Sequence, residues 1–207
     1  MVGIEKYINE FDDELIELAL EKGKLIFPNK DTRTADFNRA CDHIERLLKD
    51  AHILYGHQSY GSSVFLAITA IEEVAKVHIG LYRNNKESEN VPRHEDSLFN
   101  HREKHKLGLL PTVLMGSRLL KAVDEKLLLQ VLNKIRRGKL IALRESSIYV
   151  ESKNSIFRVP EDIISKDVCR CLLLIACEVF DDQLVGFTHY SSEMGRRVDE
   201  IFLSITD

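Results

Sequence analysis

The chain has 207 residues, of which 44% are hydrophobic and 30% are charged, and its formal net charge is −4. These values are typical of a globular protein that is large enough to bury one core. They exclude a general electrostatic attraction to nucleic acid or to an anionic membrane, so any such contact would need a local basic patch.

The sequence also argues against a membrane or secreted protein. It contains no run of about 18 apolar residues, so we expect no transmembrane helix. The N-terminal stretch is acidic from Glu5 onward and lacks the basic and apolar regions of a secretion signal. We therefore expect a cytoplasmic protein. The four cysteines form no C-x-x-C pair, and we predict buried free thiols rather than metal ligands or disulfides.

The predicted elements are mostly helices, because Gly and Pro are scarce, at 10 and 4 residues. A polar segment, 84–97, precedes a short helix that begins near Asn100, and Pro111 should break the apolar stretch 107–120. Residues 148–159 resemble a small β-hairpin instead. Apolar spacing predicts the other helices over 8–27, 36–55, 59–83, 124–144, 161–187 and 191–204. The sequence thus predicts an all-α, single-domain helical bundle over 1–207 with one hairpin insert.

The helix predicted at 59–83 is the most apolar and should lie at the centre of the bundle. Its few polar side chains form a single strip along one side, which extends from Ser62 to Arg83. Within the strip, Glu72 precedes Lys76 by four residues, in the order that favours a side-chain pair. The strip is therefore either a solvated face or one wall of a site.

A second cluster begins at His101. The spacing of His101 and His105 places both on one helix face, and Lys104 lies between them. A zinc site would need a third ligand, and the chain contains neither an H-E-x-x-H motif nor a Glu-x-x-His pair. We therefore expect no metal and no cofactor, and an exposed basic helix start is the simpler interpretation.

A third cluster is the most basic part of the chain. Arg136, Arg137 and Lys139 precede Arg144 and could contact phosphates. A charged, exposed helix face would explain the same residues.

Three short motifs, in this order, resemble the AbiV family of bacterial abortive-infection proteins. The first is AITAIEEVAK, which contains Glu72 and Glu73; the second is HREK, which begins at His101; the third is LRESSIYV, which contains Arg144. They cover about residues 42–151. One departure is Val74-Ala75, where the family usually has Leu-Gly.

The resemblance implies a prokaryotic, cytoplasmic phage-defence protein with a HEPN-like helical fold. Relatives with HEPN domains are usually homodimers, and many are ribonucleases that need no metal. Their signature of an arginine followed by a histidine matches the spacing of Arg46 and His52. The polar residue that commonly follows the arginine is missing here, so neither residue is assigned to a site.

We expect the polar residues of the three motifs to meet in one candidate catalytic site: Glu72, Glu73, Lys76, His101, Lys104, Arg144 and Glu145. If the site is catalytic, a histidine transfers protons during RNA cleavage while lysine and arginine stabilise the developing charge. Arg136, Arg137 and Lys139 are then candidate substrate-binding residues. Two alternatives stay open. One is a non-enzymatic protein that binds a phage or host protein and keeps these residues as a buried ionic network; the other is a nucleotide-binding helical module.

Overall fold

The computed structural model describes residues 13–83, 91–114 and 116–206. Two 3₁₀ turns, Ser97–Phe99 and Pro111–Leu114, lie on either side of the helix His101–Gly108. A two-stranded antiparallel sheet is formed by β1 (Glu151–Lys153) and β2 (Ile156–Arg158). The described ranges contain ten α-helices: α1 (Asp13–Glu21), α2 (Arg33–Gly56), α3 (Tyr60–Tyr82), α4 (His101–Gly108), α5 (Ser117–Ala122), α6 (Glu125–Arg136), α7 (Leu140–Ser146), α8 (Pro160–Ile163), α9 (Lys166–Leu184) and α10 (His189–Thr206). The predicted all-α fold with a hairpin insert is confirmed.

Helices α3 and α9 form the centre of the bundle. Both are apolar around most of their circumference, and nearly every residue of α9 from Cys169 to Phe180 is buried. Helices α2, α4 and α10 pack around this pair. The central position of α3 follows from its composition, because a helix that is apolar on most sides must be covered on most sides.

Two long helices of the prediction are each divided in the structure. The continuous helix over 124–144 is wrong, because α6 ends at Arg136 and the chain turns at Gly138, where φ is +64°. The continuous helix over 161–187 is also wrong, because Ile164 is extended and Ser165 caps the N-terminus of α9. In both places a local backbone signal interrupts an apolar pattern that continues through it.

The first helix is shorter than the predicted 8–27. Residues 8–12 lie outside the described ranges, and α1 ends at Glu21. Gly23 follows with φ +129°, which is not a helical value, so the helix does not continue to Phe27. A residue with a side chain would be strained at this position, because a Cβ there would lie about 2.5 Å from the side chain of Asp96.

A buried ion pair joins α3 to the segment that leads into α4. Arg83 and Asp96 are 1% and 0% exposed, and their side chains form two hydrogen bonds of 2.7 and 3.0 Å. Arg83 also donates to the carbonyl oxygens of Ala19 and Lys24. One guanidinium thus fixes α1, α3 and the chain just before α4. The part of the predicted polar segment at 84–90 lies outside the described residues.

The four cysteines are free and buried, as predicted. Burial raises the pKa of the Cys41 and Cys171 thiols to about 12 and that of Cys169 to about 11. They therefore act as small apolar core residues. None of the helices in the described ranges combines the length and the apolar character that crossing a bilayer requires.

Candidate active site

The carboxylate of Glu72 is the centre of a buried polar cluster. Glu72 lies in the middle of α3, and its side chain is 3% exposed. Its Oε2 accepts from His101 Nδ1 at 2.8 Å and from Lys104 Nζ at 2.9 Å. Its Oε1 accepts from His105 Nε2 at 2.7 Å. A carboxylate in so apolar a helix is tolerated because these donors satisfy it.

All three donors come from one face of α4, since residues three and four apart share a helix face. Asn100 starts the helix by accepting from the backbone N–H of Arg102, which places His101 at its first position. At the other end Gly108 lets α4 approach α3 closely: a Cβ there would lie 2.7 Å from Cγ2 of Ile71. Ile71 precedes Glu72, so this close approach brings the donor face onto the carboxylate.

His101 is the histidine that a substrate can reach, because its side chain is 46% exposed. An ionised carboxylate only accepts hydrogen bonds, so the Nδ1 that faces Glu72 carries the proton. In the neutral ring Nε2 is then the unprotonated nitrogen. A carboxylate that orients an accessible imidazole in this tautomer is the arrangement of a general acid–base pair.

His105 is fully buried and has a different role. Burial lowers the pKa of His105, and the opposing effect of Glu72 does not outweigh it. The ring is therefore neutral near pH 7 and donates from Nε2. Burial also acts to raise the pKa of Glu72, but the hydrogen bonds from His105 and Lys104 and the Lys104 charge lower it to about 2. The carboxylate is ionised throughout the physiological range.

Arg144 completes the cluster from α7. Its guanidinium lies over the ring of Phe65, 4.5 Å from the centroid, and its Nε is 3.8 Å from Glu72 Oε1. This Nε is buried and has no hydrogen-bond partner among the described residues. The side chain is 24% exposed. The stacking contact holds the partly exposed Arg144 beside the carboxylate, and a guanidinium in this position suits an incoming anion.

A basic turn adjoins the same end of α4. Gly138, in the turn between α6 and α7, packs against the side chain of Arg102, and a Cβ there would lie 2.9 Å from Arg102 Cδ. Arg137 and Lys139 on either side of this glycine are exposed. They line a surface depression of about 310 Å³ with Gln130, Asn133 and Lys134. This basic turn lies near His101, because Gly138 contacts Arg102, the residue that follows His101 in the chain.

The structure thus brings together four of the seven candidate catalytic residues, namely Glu72, His101, Lys104 and Arg144. The expected pair of Glu72 with Lys76 is wrong, because Lys76 binds Glu73 at 3.1 Å on a partly exposed part of α3. Both carboxylate oxygens of Glu72 already accept hydrogen bonds from α4, so Lys76 pairs with Glu73 instead.

The remaining candidates lie away from the carboxylate. The side chain of Glu145 is exposed, and the residue contributes its backbone carbonyl to the turn after α7. Arg136 is exposed at the end of α6. On α2, Arg46 pairs with Asp42, and His52 lies 3.1 Å from the hydroxyl of Ser204. Arg46 and His52 do not contact Glu72.

Two members of the cluster were absent from the candidate set. His105 shares the His101 face, and its spacing of four residues is the signal that identifies it. Phe65 has no comparable signal, because an aromatic residue on an apolar helix is normally a core residue. Among the described residues, no group of three or more His, Cys, Asp or Glu side chains is arranged to hold a metal ion.

The chain is thus an all-α bundle with one polar cluster built on α3, α4 and α7. The family model described as AbiV, a HEPN-type family, matches residues 36–180 and so contains every element of the cluster. Because this match covers well over half of the chain, the protein belongs to the AbiV family of abortive-infection proteins. No curated protein and no solved structure matches the chain.

Proposed function

We propose that this protein is a cytoplasmic antiphage effector that cleaves RNA with the cluster around Glu72. The observation that carries the proposal is the pairing of buried Glu72 with His101 Nδ1, which leaves Nε2 of a half-exposed imidazole available to a substrate. The adjacent cations suit a phosphodiester. The AbiV family supports a role in abortive infection.

The chemistry can be written with groups of this chain and of the RNA alone. His101 Nε2 removes the proton from a ribose 2′-hydroxyl, and the 2′-oxygen attacks the adjacent phosphorus. A bond from O2′ to phosphorus forms as the bond from phosphorus to O5′ breaks. His101 returns the proton to the leaving 5′-oxygen, so the products are a 2′,3′-cyclic phosphate and a 5′-hydroxyl.

The charges around the reacting phosphate favour this step. Lys104 is 9% exposed and holds Glu72 in place, whereas Arg144 is more accessible and stacks on Phe65. The negative charge of Glu72 offsets only one of these two positive charges, so a net positive charge remains beside His101. Fixed positive charge in a partly desolvated site stabilises the dianionic transition state.

The exposed basic turn supplies the remaining contacts of the proposal. Arg136, Arg137 and Lys139 would bind phosphates beyond the cleaved bond, with Arg102 between them and the site. This local patch matters because the chain as a whole is acidic.

The decisive experiment induces wild-type protein, His101→Ala and His43→Ala in cells and follows RNA integrity and growth. His43 is an exposed histidine on α2 and is the matched control. Wild type and His43→Ala should fragment RNA, and His101→Ala should slow cleavage by about 10²- to 10⁴-fold. Intact RNA under wild-type growth arrest would exclude the ribonuclease proposal.

A second readout uses purified protein and paired oligonucleotides. An RNA should be cut, and the same sequence with 2′-deoxyribose should not, because the nucleophile is then missing. Cleavage of both would contradict the proposed chemistry.

The non-enzymatic alternative is favoured by one observation, the near-complete burial of Glu72 among its donors. In that case the cluster fixes the position of α4 on α3 and has no substrate. Thermal unfolding separates the two functions. A structural network predicts a clear loss of stability in His101→Ala, whereas a half-exposed catalytic histidine should be replaceable with little change in melting temperature.

A further inference from the structure

The β-hairpin and the three residues before it carry an unusual concentration of exposed apolar side chains. Five of the twelve large hydrophobic residues that are exposed in the described ranges lie within ten residues of one another. We call them the hairpin surface: Ile148, Tyr149, Val150, Ile156 and Phe157, which are 40–65% exposed. Isolated exposed apolar residues are normal, whereas five of them within one ten-residue segment point to an interaction surface.

The backbone of the hairpin is also incompletely paired. Strands β1 and β2 have three residues each and pair only with each other, so within the described chain one edge of each strand has no strand partner. A two-stranded sheet is marginally stable by itself. An open edge with apolar neighbours is the arrangement that accepts an added strand from another chain.

The size of the hairpin surface points to a single extended segment. Five half-exposed side chains of this kind offer on the order of 500 Å² in total, spread over the hairpin and the three residues before it. A stable association of two globular surfaces usually buries ~800 Å² on each partner. One added strand, in contrast, is supported mainly by main-chain hydrogen bonds and needs only small side-chain contacts.

The charges beside the hairpin favour a protein over a nucleic acid. Residues 145–162 contain four acidic residues, Glu145, Glu151, Glu161 and Asp162, against two basic ones, Lys153 and Arg158. These acids repel phosphates and attract a basic side chain. We propose that the hairpin surface docks an extended, apolar segment of another protein, flanked by a basic residue, as an added β-strand.

The docking surface is distinct from the proposed ribonuclease site, although the two are neighbours. Ile148 follows Arg144 by four residues, and the carbonyl of Ser147 packs against Gly61 at the start of α3. The proposal rests on exposure, strand pairing and charge, and it does not depend on RNA cleavage.

The test measures binding of a labelled synthetic peptide by fluorescence anisotropy. The probe is a short peptide of alternating valine and threonine with a lysine at each end. A second probe has the same side chains but N-methyl groups on alternate backbone nitrogens, which prevents strand addition. We expect saturable binding of the first probe and a loss of about tenfold or more with the second.

Variants place the contact on the hairpin. Phe157→Ser should weaken binding by about tenfold, as loss of a central aromatic contact does. Leu203→Ser is the matched control, because Leu203 is 55% exposed on α10 and lies outside the hairpin surface. It should leave binding unchanged. Both replaced side chains are largely exposed, so neither variant should fail to fold, and circular dichroism checks this.

Each other outcome overturns the proposal. Equal binding of both probes would show apolar adhesion without strand addition, and no binding up to the solubility limit would remove the strand site. A dimer in sedimentation equilibrium that Phe157→Ser abolishes would assign the surface to a second copy. Binding of a single-stranded RNA that Phe157→Ser abolishes would assign it to nucleic acid.

Discussion

At the scale of single residues, the protein depends on one buried carboxylate. Glu72 lies in the most apolar helix of the chain, where an unpaired charge would be strongly destabilising. Lys104 and His105 provide the compensation, because each gives one carboxylate oxygen a buried donor. The same carboxylate orients the half-exposed His101, so the proposed chemistry uses a contact on which stability does not depend.

The pH dependence of stability should reveal this carboxylate. The pKa of Glu72 is lowered from 4.5 to about 2 on folding, so its contribution is complete above pH 4.5 and is lost as the pH falls toward 2. The pKa of His105 is lowered from 6.5, so its contribution is also lost on acidification, beginning near pH 6.5. Urea unfolding across this range should therefore show stability falling in two steps.

Replacement of Glu72 by glutamine should remove the lower step and cost about 3 kcal/mol at neutral pH, because Lys104 would be left buried without its counter-charge. Glu73→Gln is the matched control, since Glu73 is partly exposed and forms a pair on the helix surface. It should change stability by less than about 1 kcal/mol. A Glu72→Gln protein that retains the full acid transition would show that another group causes it.

At the scale of elements, the break between α6 and α7 matters most. Without it the two helices would continue in one direction, and Arg144 would be carried past the site. Gly138 makes the turn with φ +64° and packs on Arg102. The turn then directs α7 back toward α3, where Arg144 meets Phe65.

Gly138→Ala should therefore destabilise the protein by about 1–2 kcal/mol, from the positive φ and from the contact with Arg102. Gly56→Ala is the control, because Gly56 is helical and no atom lies within 4 Å of a Cβ built there. Its stability should be unchanged or higher by about 0.5 kcal/mol. Chemical denaturation would measure both changes in the free energy of unfolding. An unchanged stability in Gly138→Ala would mean that the turn adapts to the added methyl group.

At the scale of the whole molecule, one apolar cluster extends from α2 through α3, α6 and α9 to α10. A smaller cluster joins α1 to α3 and α4, and the Arg83–Asp96 ion pair lies beside it. Helix α3 contributes to both clusters, through Val74 to the first and through Ala75 to the second. The two clusters thus share a central element.

We predict that the chain unfolds as one domain. Because α3 belongs to both clusters, neither can lose its packing alone, and residues 1–207 should show a single thermal transition. Far-ultraviolet and near-ultraviolet circular dichroism should give the same midpoint. Two separate midpoints would divide the chain into independently stable parts and contradict the single-domain prediction.

The sequence was sufficient where a local pattern carries the information. The apolar composition of α3 predicted its central position, Pro111 predicted the break after α4, and the alternating segment at 148–159 predicted the hairpin. The three motifs also predicted the family. These features depend on residues close together in the chain, so composition and spacing are enough to find them.

Only the tertiary structure decided which charges meet. The sequence favoured Glu72 with Lys76, but α4 supplies better donors from a distance of about thirty residues along the chain, and Lys76 turns to Glu73. Likewise Arg83 forms a buried ion pair with Asp96, although its spacing in the sequence placed it on the polar strip of α3. A buried charge binds whatever donor the packing places within hydrogen-bond distance, and no local spacing rule contains that information.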